Sequence, residues 1–438
     1  MDSFGAVTTD ELRAADRAVL WHPFTQMQGW QAEDAPIIER AQGTTLWDTD
    51  GNAYIDGVSS LWCNVHGHRH PHIDAAVREQ LDRVAHSTML GLSHRPAIEL
   101  AQRLVDLAPG DLSRVFYSDS GSTAVEVALK MAYQWWVHRG EPQRSKFVCL
   151  KMSYHGDTLG SVAVGGIDLF HSRFAPLLFE CFQATPGDEH DPQFLLDEHA
   201  REVAAVVVEP LVQGAAGMLL QPPGYLRAVR EMCDDAGVFL ICDEVATAFG
   251  RTGTMFACEQ EGVAPDFLCL AKGLTGGYLP LAATLTTERV YEGFLGEFEA
   301  FKTFFHGHTY TGNPLGCAAA LATLDVFESE RTLDALEPKI ALLRELLDAH
   351  VDPLPGVREV RRCGFMVAVE LDEHPVAERI GHQVTLAARE RGAIIRPLGD
   401  AIVLMPPLVI SEGELRRLVE IVAASIAAVT AERLAPAA

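Results

Sequence analysis

The sequence predicts an α/β fold: a large domain on a mostly parallel sheet, joined to a smaller α+β domain built from both termini. Three observations carry this expectation. From about residue 70 to residue 330, short apolar runs alternate with helical stretches. Those runs are continuous rather than alternating, as in Ala204–Val208 and Val238–Cys242, the pattern of strands covered on both faces by helices. Beyond about residue 330 the texture changes to a leucine-rich, charged helical stretch, then Phe365–Glu370, Ala393–Arg396, Ala401–Met405 and a final amphipathic helix from about residue 412. Residues 1–69 and 331–438 are therefore read as the small domain, and 70–330 as the large one.

In chain order, Leu46–Asp56 reads as a hairpin turning at Asp50-Gly51. The large domain's strands are expected at Arg114–Ser118, Lys146–Leu150, Ala204–Val208, Val238–Cys242 and Phe267–Ala271. A helix is expected from Ala124, opened by the small polar turn Ser120-Gly121-Ser122-Thr123.

The chain has 438 residues and a formal net charge of −25. Such a charge repels nucleic acid and anionic membrane surfaces, so neither is expected as a partner. The start has no basic segment followed by an apolar one, and no apolar run reaches the length of a membrane span. Nine scattered cysteines without a C-x-x-C pair suggest reduced core residues and a cytoplasmic protein.

Three strand ends carry chemistry. Phe267–Ala271 delivers Lys272 to the glycine-rich stretch Gly273–Gly277, and Val238–Cys242 delivers Asp243. The strand at Val115–Ser118 runs into the turn at Gly121. A lysine can hold an aldehyde as a Schiff base and move a proton. A carboxylate keeps a ring nitrogen protonated, and backbone N–H groups at a helix start bind phosphate. Together these are the parts that hold pyridoxal 5'-phosphate. Each has a plainer alternative: Glu244 stands beside Asp243, and the turn at Ser120 also reads as an ordinary helix cap. Tyr154, after the Lys146–Leu150 strand, fits stacking on a ring or simple packing. Arg396, amid apolar residues, needs a carboxylate, either internal or on a substrate.

Two patterns are set aside. His66, His68, His70 and His72 alternate, but Gly67 and Pro71 interrupt them and no acid or cysteine cluster completes a metal site. Asp48–Asn52 resembles a calcium loop but lacks its glycine and terminal acid. No metal is expected. No G-x-G-x-x-G occurs, which argues against a nicotinamide oxidoreductase.

With these residues assembled, the chain resembles the class III aminotransferases of fold type I over almost its entire length. The segments that carry the resemblance are Leu240–Gly253 with Pro265–Gly273, Trp21–Met27, Val65–His68 and Phe116–Gly121, together with Tyr154–Thr158, Glu209–Gly214, His306–Thr309 and Arg396-Pro397. They are similar to the branch of biotin biosynthesis, which aminates 8-amino-7-oxononanoate. The resemblance implies that Lys272 carries the cofactor and Asp243 pairs with its ring nitrogen. It implies that Gly121 and Ser122 bind the phosphate and that Tyr154 stacks on the ring. His308 and Thr309 would reach the phosphate from the neighbouring subunit, giving a homodimer with shared active sites. Gly307 would line the substrate channel, and Arg396 would hold the substrate carboxylate.

Phe24 and the pair Leu61-Trp62 depart from the tyrosine and paired tryptophan of relatives that use S-adenosylmethionine. Both changes lead to an expectation of lysine as amino donor. Rival expectations are another ω-aminotransferase, acting on ornithine, 4-aminobutyrate or a β-amino acid, and a non-catalytic pyridoxal-phosphate-binding protein.

Overall fold

A computed structural model describes residues 7–434. Its central sheet has seven strands, in spatial order Leu112–Ser118, Ala282–Thr287, Phe267–Leu270, Phe239–Asp243, Val203–Val208, Lys146–Leu150 and Cys181–Ala184. Ala282–Thr287 runs antiparallel to both of its neighbours, and every other pairing in the sheet is parallel. Every residue of Val203–Val208 and of Phe239–Asp243 is buried, because helices cover both faces. The runs Val203–Val208, Phe239–Asp243 and Phe267–Leu270 fall within a residue or two of the expected positions.

The consequence for function lies at one edge. Six of the seven strands run the same way, so Ser118, Leu150, Val208, Asp243 and Leu270 end on one side of the sheet. Helix-to-strand returns cross on the other side, so this edge is where an α/β sheet leaves room for a ligand. The helix Gly121–His138 starts at this edge, and a reciprocal capping box between Ser120 and Thr123 fixes its first turn.

The N-terminal hairpin pairs Thr45–Asp48 with Ala53–Asp56, and Gly51 takes a positive φ of 85° at the turn. Asp48 organises it. Its carboxylate accepts the N–H groups of Asp50 and Asn52, the Asn52 amide and the Tyr54 hydroxyl. The hairpin sheet gains Ala393–Ile394 as a parallel strand beside Ile55 and Asp56. A further sheet joins Val357–Cys363, Met366–Leu371, Ala401–Leu404 and Arg396–Leu398.

One expected strand is corrected here. Ala393–Arg396 is not continuous: Ala393–Ile394 joins the hairpin sheet, whereas Arg396–Leu398 folds back on Ala401–Leu404. The apolar run is long enough for one strand, but it serves two sheets. Because the C-terminal chain pairs directly with the hairpin, we propose that residues 1–69 and 331–438 form one small domain around 70–330.

The alternating histidines diverge to four different partners. His66 Nε2 lies 3.1 Å from the Thr323 carbonyl, His68 pairs with Asp56, His70 with Glu330 and His72 with Asp325. All nine cysteines are free. Among the described residues, no helix is long and apolar enough to cross a membrane.

Glu244 explains how the Asp243 strand is locked at its end. Its fully buried carboxylate accepts the N–H groups of Ala257 at 2.6 Å and Cys258 at 2.8 Å, and the Thr247 hydroxyl at 3.2 Å. Glu244→Ala would leave two buried N–H groups unpaired and is expected to destabilise the fold by about 2–3 kcal/mol. Thermal or urea unfolding measures this, and an unchanged midpoint would show the lock to be unimportant.

Candidate active site

The strand ends surround a cavity of about 710 Å³. Lys272, Asp243, Tyr154, Gly121, Ser122 and Trp62 all line it, with His155, Thr158 and Glu209. A larger cavity of about 1200 Å³ lies elsewhere, around Phe116, Phe294 and Phe304. No lysine lines it, and its arginines are already paired, Arg103 with Asp325 and Arg114 with Glu288. The smaller cavity is therefore the candidate active site.

Lys272 begins a short 3₁₀ turn, Lys272–Thr275, with φ of +46°. Left-handed backbone is unfavourable for a lysine and concentrates at functional sites. Burial pushes its amine below the usual lysine range, while the charges of Asp243 and Glu209 pull the other way. The amine lies 4.9 Å from the centre of the Trp62 ring. A depressed amine gives up its proton more readily than an ordinary lysine.

Asp243 is the last residue of its strand. One carboxylate oxygen accepts the Val245 N–H at 3.0 Å, and the other meets His155 Nδ1 at 2.7 Å. Burial alone would lower the His155 pKa. The hydrogen bond and charge of Asp243, with the charge of Glu209, more than offset this and hold it above the ordinary value. Glu209 is buried too and accepts the N–H groups of Tyr154 at 3.0 Å and Gly214 at 2.9 Å. Burial raises its carboxyl to about 7, against the pull of His155.

The helix start presents backbone N–H groups without bulk. A Cβ on Gly121 would fall 2.5 Å from the Val245 side chain, so only glycine fits between the turn and the residue after Glu244. The Ser122 hydroxyl accepts the Thr158 N–H at 3.0 Å, which leaves the Ser122 backbone N–H for an anion. Tyr154 donates its hydroxyl to Asp157 at 2.8 Å. An amine, a backed carboxylate, an anion-binding helix start and a tyrosine ring thus converge on one cavity. That donor set fits pyridoxal phosphate.

The outer residues are arranged differently. Phe24 packs edge-on against Tyr154, with ring centres 6.4 Å apart, and against Phe170 at 5.4 Å. Arg396 is half-buried, and no acid stands within ion-pair distance of it among the described residues. Burial lowers its pKa, and a weaker coupling to Tyr154 acts the other way; like Phe24 and His308, it does not line the cavity. Leu61 is exposed and, with Gly307 and Thr309, does not line the cavity. His308 Nδ1 stands 2.9 Å from Asp119 Oδ2 at the rim, without hydrogen-bond geometry.

Sequence reasoning assigned no role to His155, Glu209 or Phe170. His155 adjoins Tyr154 and Glu209 ends an apolar run, so both had a positional signal. Nothing local told which way either side chain turns.

The model of the aminotransferase class III family matches residues 29–426. The chain belongs to this family and is a pyridoxal-phosphate-dependent transaminase. Among its relatives, the adenosylmethionine-8-amino-7-oxononanoate aminotransferase of Nitratidesulfovibrio vulgaris is 57% identical, over 97% of this chain and 83% of that one. The protein of the same name from Geobacter sulfurreducens is 50% identical, over 96% and 98%. The crystal structure of its namesake from Methanocaldococcus jannaschii has a TM-score of 0.94 and 46% identity, covering 95% of this chain and 98% of that one.

Lys272→Ala is expected to abolish transamination. Asp243→Asn is expected to lower it by at least about a hundredfold while the unfolding midpoint holds, because an amide cannot keep a ring nitrogen protonated. Steady-state assays beside thermal melts check both. Activity within a few-fold of the parent would remove Asp243 from the chemistry.

Proposed function

We propose that this transaminase converts 8-amino-7-oxononanoate to 7,8-diaminononanoate in biotin biosynthesis, with S-adenosylmethionine as amino donor. The observation that carries the acceptor reading is Arg396. In a chain with 60 acidic and 35 basic residues, a half-buried arginine without an acid partner is conspicuous. It does not itself line the cavity that holds Lys272, but it is coupled electrostatically to Tyr154, which does, and a substrate carboxylate reaching out from that cavity would complete it. The relatives' names specify the same acceptor.

Pyridoxal phosphate, when bound, supplies the electron sink of the reaction. The chain's residues supply the rest. Lys272 would hold the cofactor through its Nζ, and the same Nζ would move a proton during the reaction. Asp243, backed by His155, keeps positive charge on the ring nitrogen. The N–H groups of Gly121 and Ser122 take the phosphate at the dipole's positive end. Tyr154 closes one side of the ring, and Glu209 fixes the Tyr154 backbone from behind.

The homodimer belongs to the same proposal. The segment from Phe298 to Tyr310 leaves Phe298, Phe301, Phe305 and Tyr310 largely exposed, which in water favours a second protein surface. His308 and Thr309 lie on that segment. Their proposed place is at the phosphate of the other subunit, with Gly307 lining its channel.

The donor reading departs from the expectation of lysine. The relatives' names carry adenosylmethionine, and the fold supplies aromatic surface that the pair Leu61-Trp62 does not reveal. Phe170 packs with Phe24 and with the cavity-lining Tyr154 into an aromatic cluster, which suits a sulfonium cation. Lysine remains the second reading, because Phe24 offers no hydroxyl and Leu61 no ring.

Arg396→Ala is expected to weaken acceptor binding by about ten- to a hundredfold, the value of one charge-assisted hydrogen bond, with little change in unfolding. Easy unfolding with normal acceptor binding would make Arg396 structural. For the donor, S-adenosylmethionine is expected to bleach the cofactor's visible band in a single turnover, and lysine is not. Bleaching by lysine alone would reverse the assignment. Turnover with ornithine or 4-aminobutyrate but none with 8-amino-7-oxononanoate would overturn the acceptor.

A further inference from the structure

The proposed function leaves unused the alternating histidines and the turn that precedes them. Ser59, Ser60 and Trp62 have φ of 50°, 61° and 63°, and none is glycine. Such backbone persists only where its surroundings over-determine it. Here the surroundings are an interlocked set of polar groups centred on Asp56, whose side chain is completely buried.

One Asp56 oxygen accepts the Ser60 N–H at 2.8 Å, and the other takes the Ser60 hydroxyl at 3.1 Å and His68 Nε2 at 2.9 Å. On the far side of the imidazole, the Asn64 amide nitrogen lies 3.1 Å from His68 Nδ1. That arrangement defines a tautomer: Nδ1 accepts from Asn64, and Nε2–H donates to Asp56. The main chain of His68 is held in both directions by Gly43.

The turn is also tied to the C-terminal chain. The Ser59 hydroxyl donates to the Met405 carbonyl at 2.7 Å. The buried Arg251 guanidinium donates to the Asn64 carbonyl at 2.9 Å and the Pro406 carbonyl at 2.7 Å. At the end of this turn stands Trp62, 6% exposed, with its ring centre 4.9 Å from Lys272 Nζ. A Cβ on Gly214 would come within 3.2 Å of that ring, so the indole is wedged closely. Its own N–H is buried and without a partner. The ring's position therefore rests on packing and on the backbone that carries it, not on a hydrogen bond of its own.

We propose that Asp56 and His68 are positioning residues of the transaminase, which through the turn Ser59–Trp62 hold the Trp62 ring face over the Lys272 amine. The proposal rests on the reading of Lys272 as the cofactor-bearing residue. An aromatic face favours the charged form of a nitrogen above it. The other groups that act on Lys272 are Asp243, Glu209, Cys63 and Arg251; Cys63 directly follows the turn, and Arg251 donates to the Asn64 carbonyl just beyond it. His68 acts on the amine only through the position of the ring.

The test replaces His68 by Phe, which keeps bulk without a donor, and by Gln, which keeps a donor toward Asp56. Tryptophan is labelled with fluorine, and the Trp62 resonance is assigned by its loss in Trp62→Phe. His68→Phe is expected to move or broaden that resonance in both cofactor-free and cofactor-loaded protein. It is also expected to lower by about half a unit the pH at which the cofactor's visible band titrates, the size of one cation–π contribution. His68→Gln should restore both, and His72→Phe should change neither. If His68→Phe does not fold, Asp56→Asn serves in its place with the same expected shifts. A variant that lowers the melting temperature but leaves the resonance and the titration at parental values overturns the proposal. So does an upward shift of the titration.

Discussion

Asp243 meets His155 at 2.7 Å in a place from which water is almost excluded. An isolated carboxylate there would be costly, and an isolated imidazolium equally so. Each makes the other tolerable, and the pair leaves a negative oxygen facing a cavity that also contains an amine and a second acid. The shifts around it follow from burial and from the Asp243 charge. Burial raises Glu209 to about 7 and depresses Lys272, while the Asp243 charge holds His155 protonated beyond its ordinary range. Perturbed groups of this kind, gathered in one cavity, mark a candidate functional site.

The sheet makes that environment possible. Lys272, Asp243, Glu209 and His155 are spread over more than a hundred residues of chain, yet each lies at or just beyond the end of a strand running in a common direction. A parallel sheet buried on both faces gives such ends a rigid common plane. The residues proposed to choose substrates come from elsewhere: Phe24 and Leu61 from the N-terminal segment and Arg396 from the C-terminal one. In that proposal they can vary without disturbing the strand ends, which suits a family of one mechanism and many substrates.

What the sequence made legible followed from burial and from backbone punctuation. Continuous apolar runs located the strands, the Asp-Gly step located the hairpin, and Lys272 and Asp243 stood out because a charge directly after a buried run needs a reason. The choice of Asp243 over Glu244 also agrees with their surroundings, since the Glu244 carboxylate is filled by Ala257, Cys258 and Thr247. Side-chain direction was not legible. His155 and Asp243 are 88 positions apart, and no local pattern says that their side chains meet. The division of Ala393–Arg396 between two sheets was hidden for a related reason, because an apolar run reports burial but not the partner strand. The alternating histidines show the converse. Their spacing suggested a shared face, yet the left-handed backbone at Gly67 and the helix that starts at Pro71 send them to four separate partners.

The central claim is that the His155–Asp243 pair keeps the cofactor's ring nitrogen positively charged. Nuclear magnetic resonance of the enzyme loaded with pyridoxal phosphate labelled with ¹⁵N in the ring reads this directly. The account predicts a protonated ring nitrogen from about pH 6 to about pH 9, well above the range in which free pyridine nitrogens lose their proton. A neutral ring nitrogen at pH 7 in the folded, loaded enzyme would contradict it.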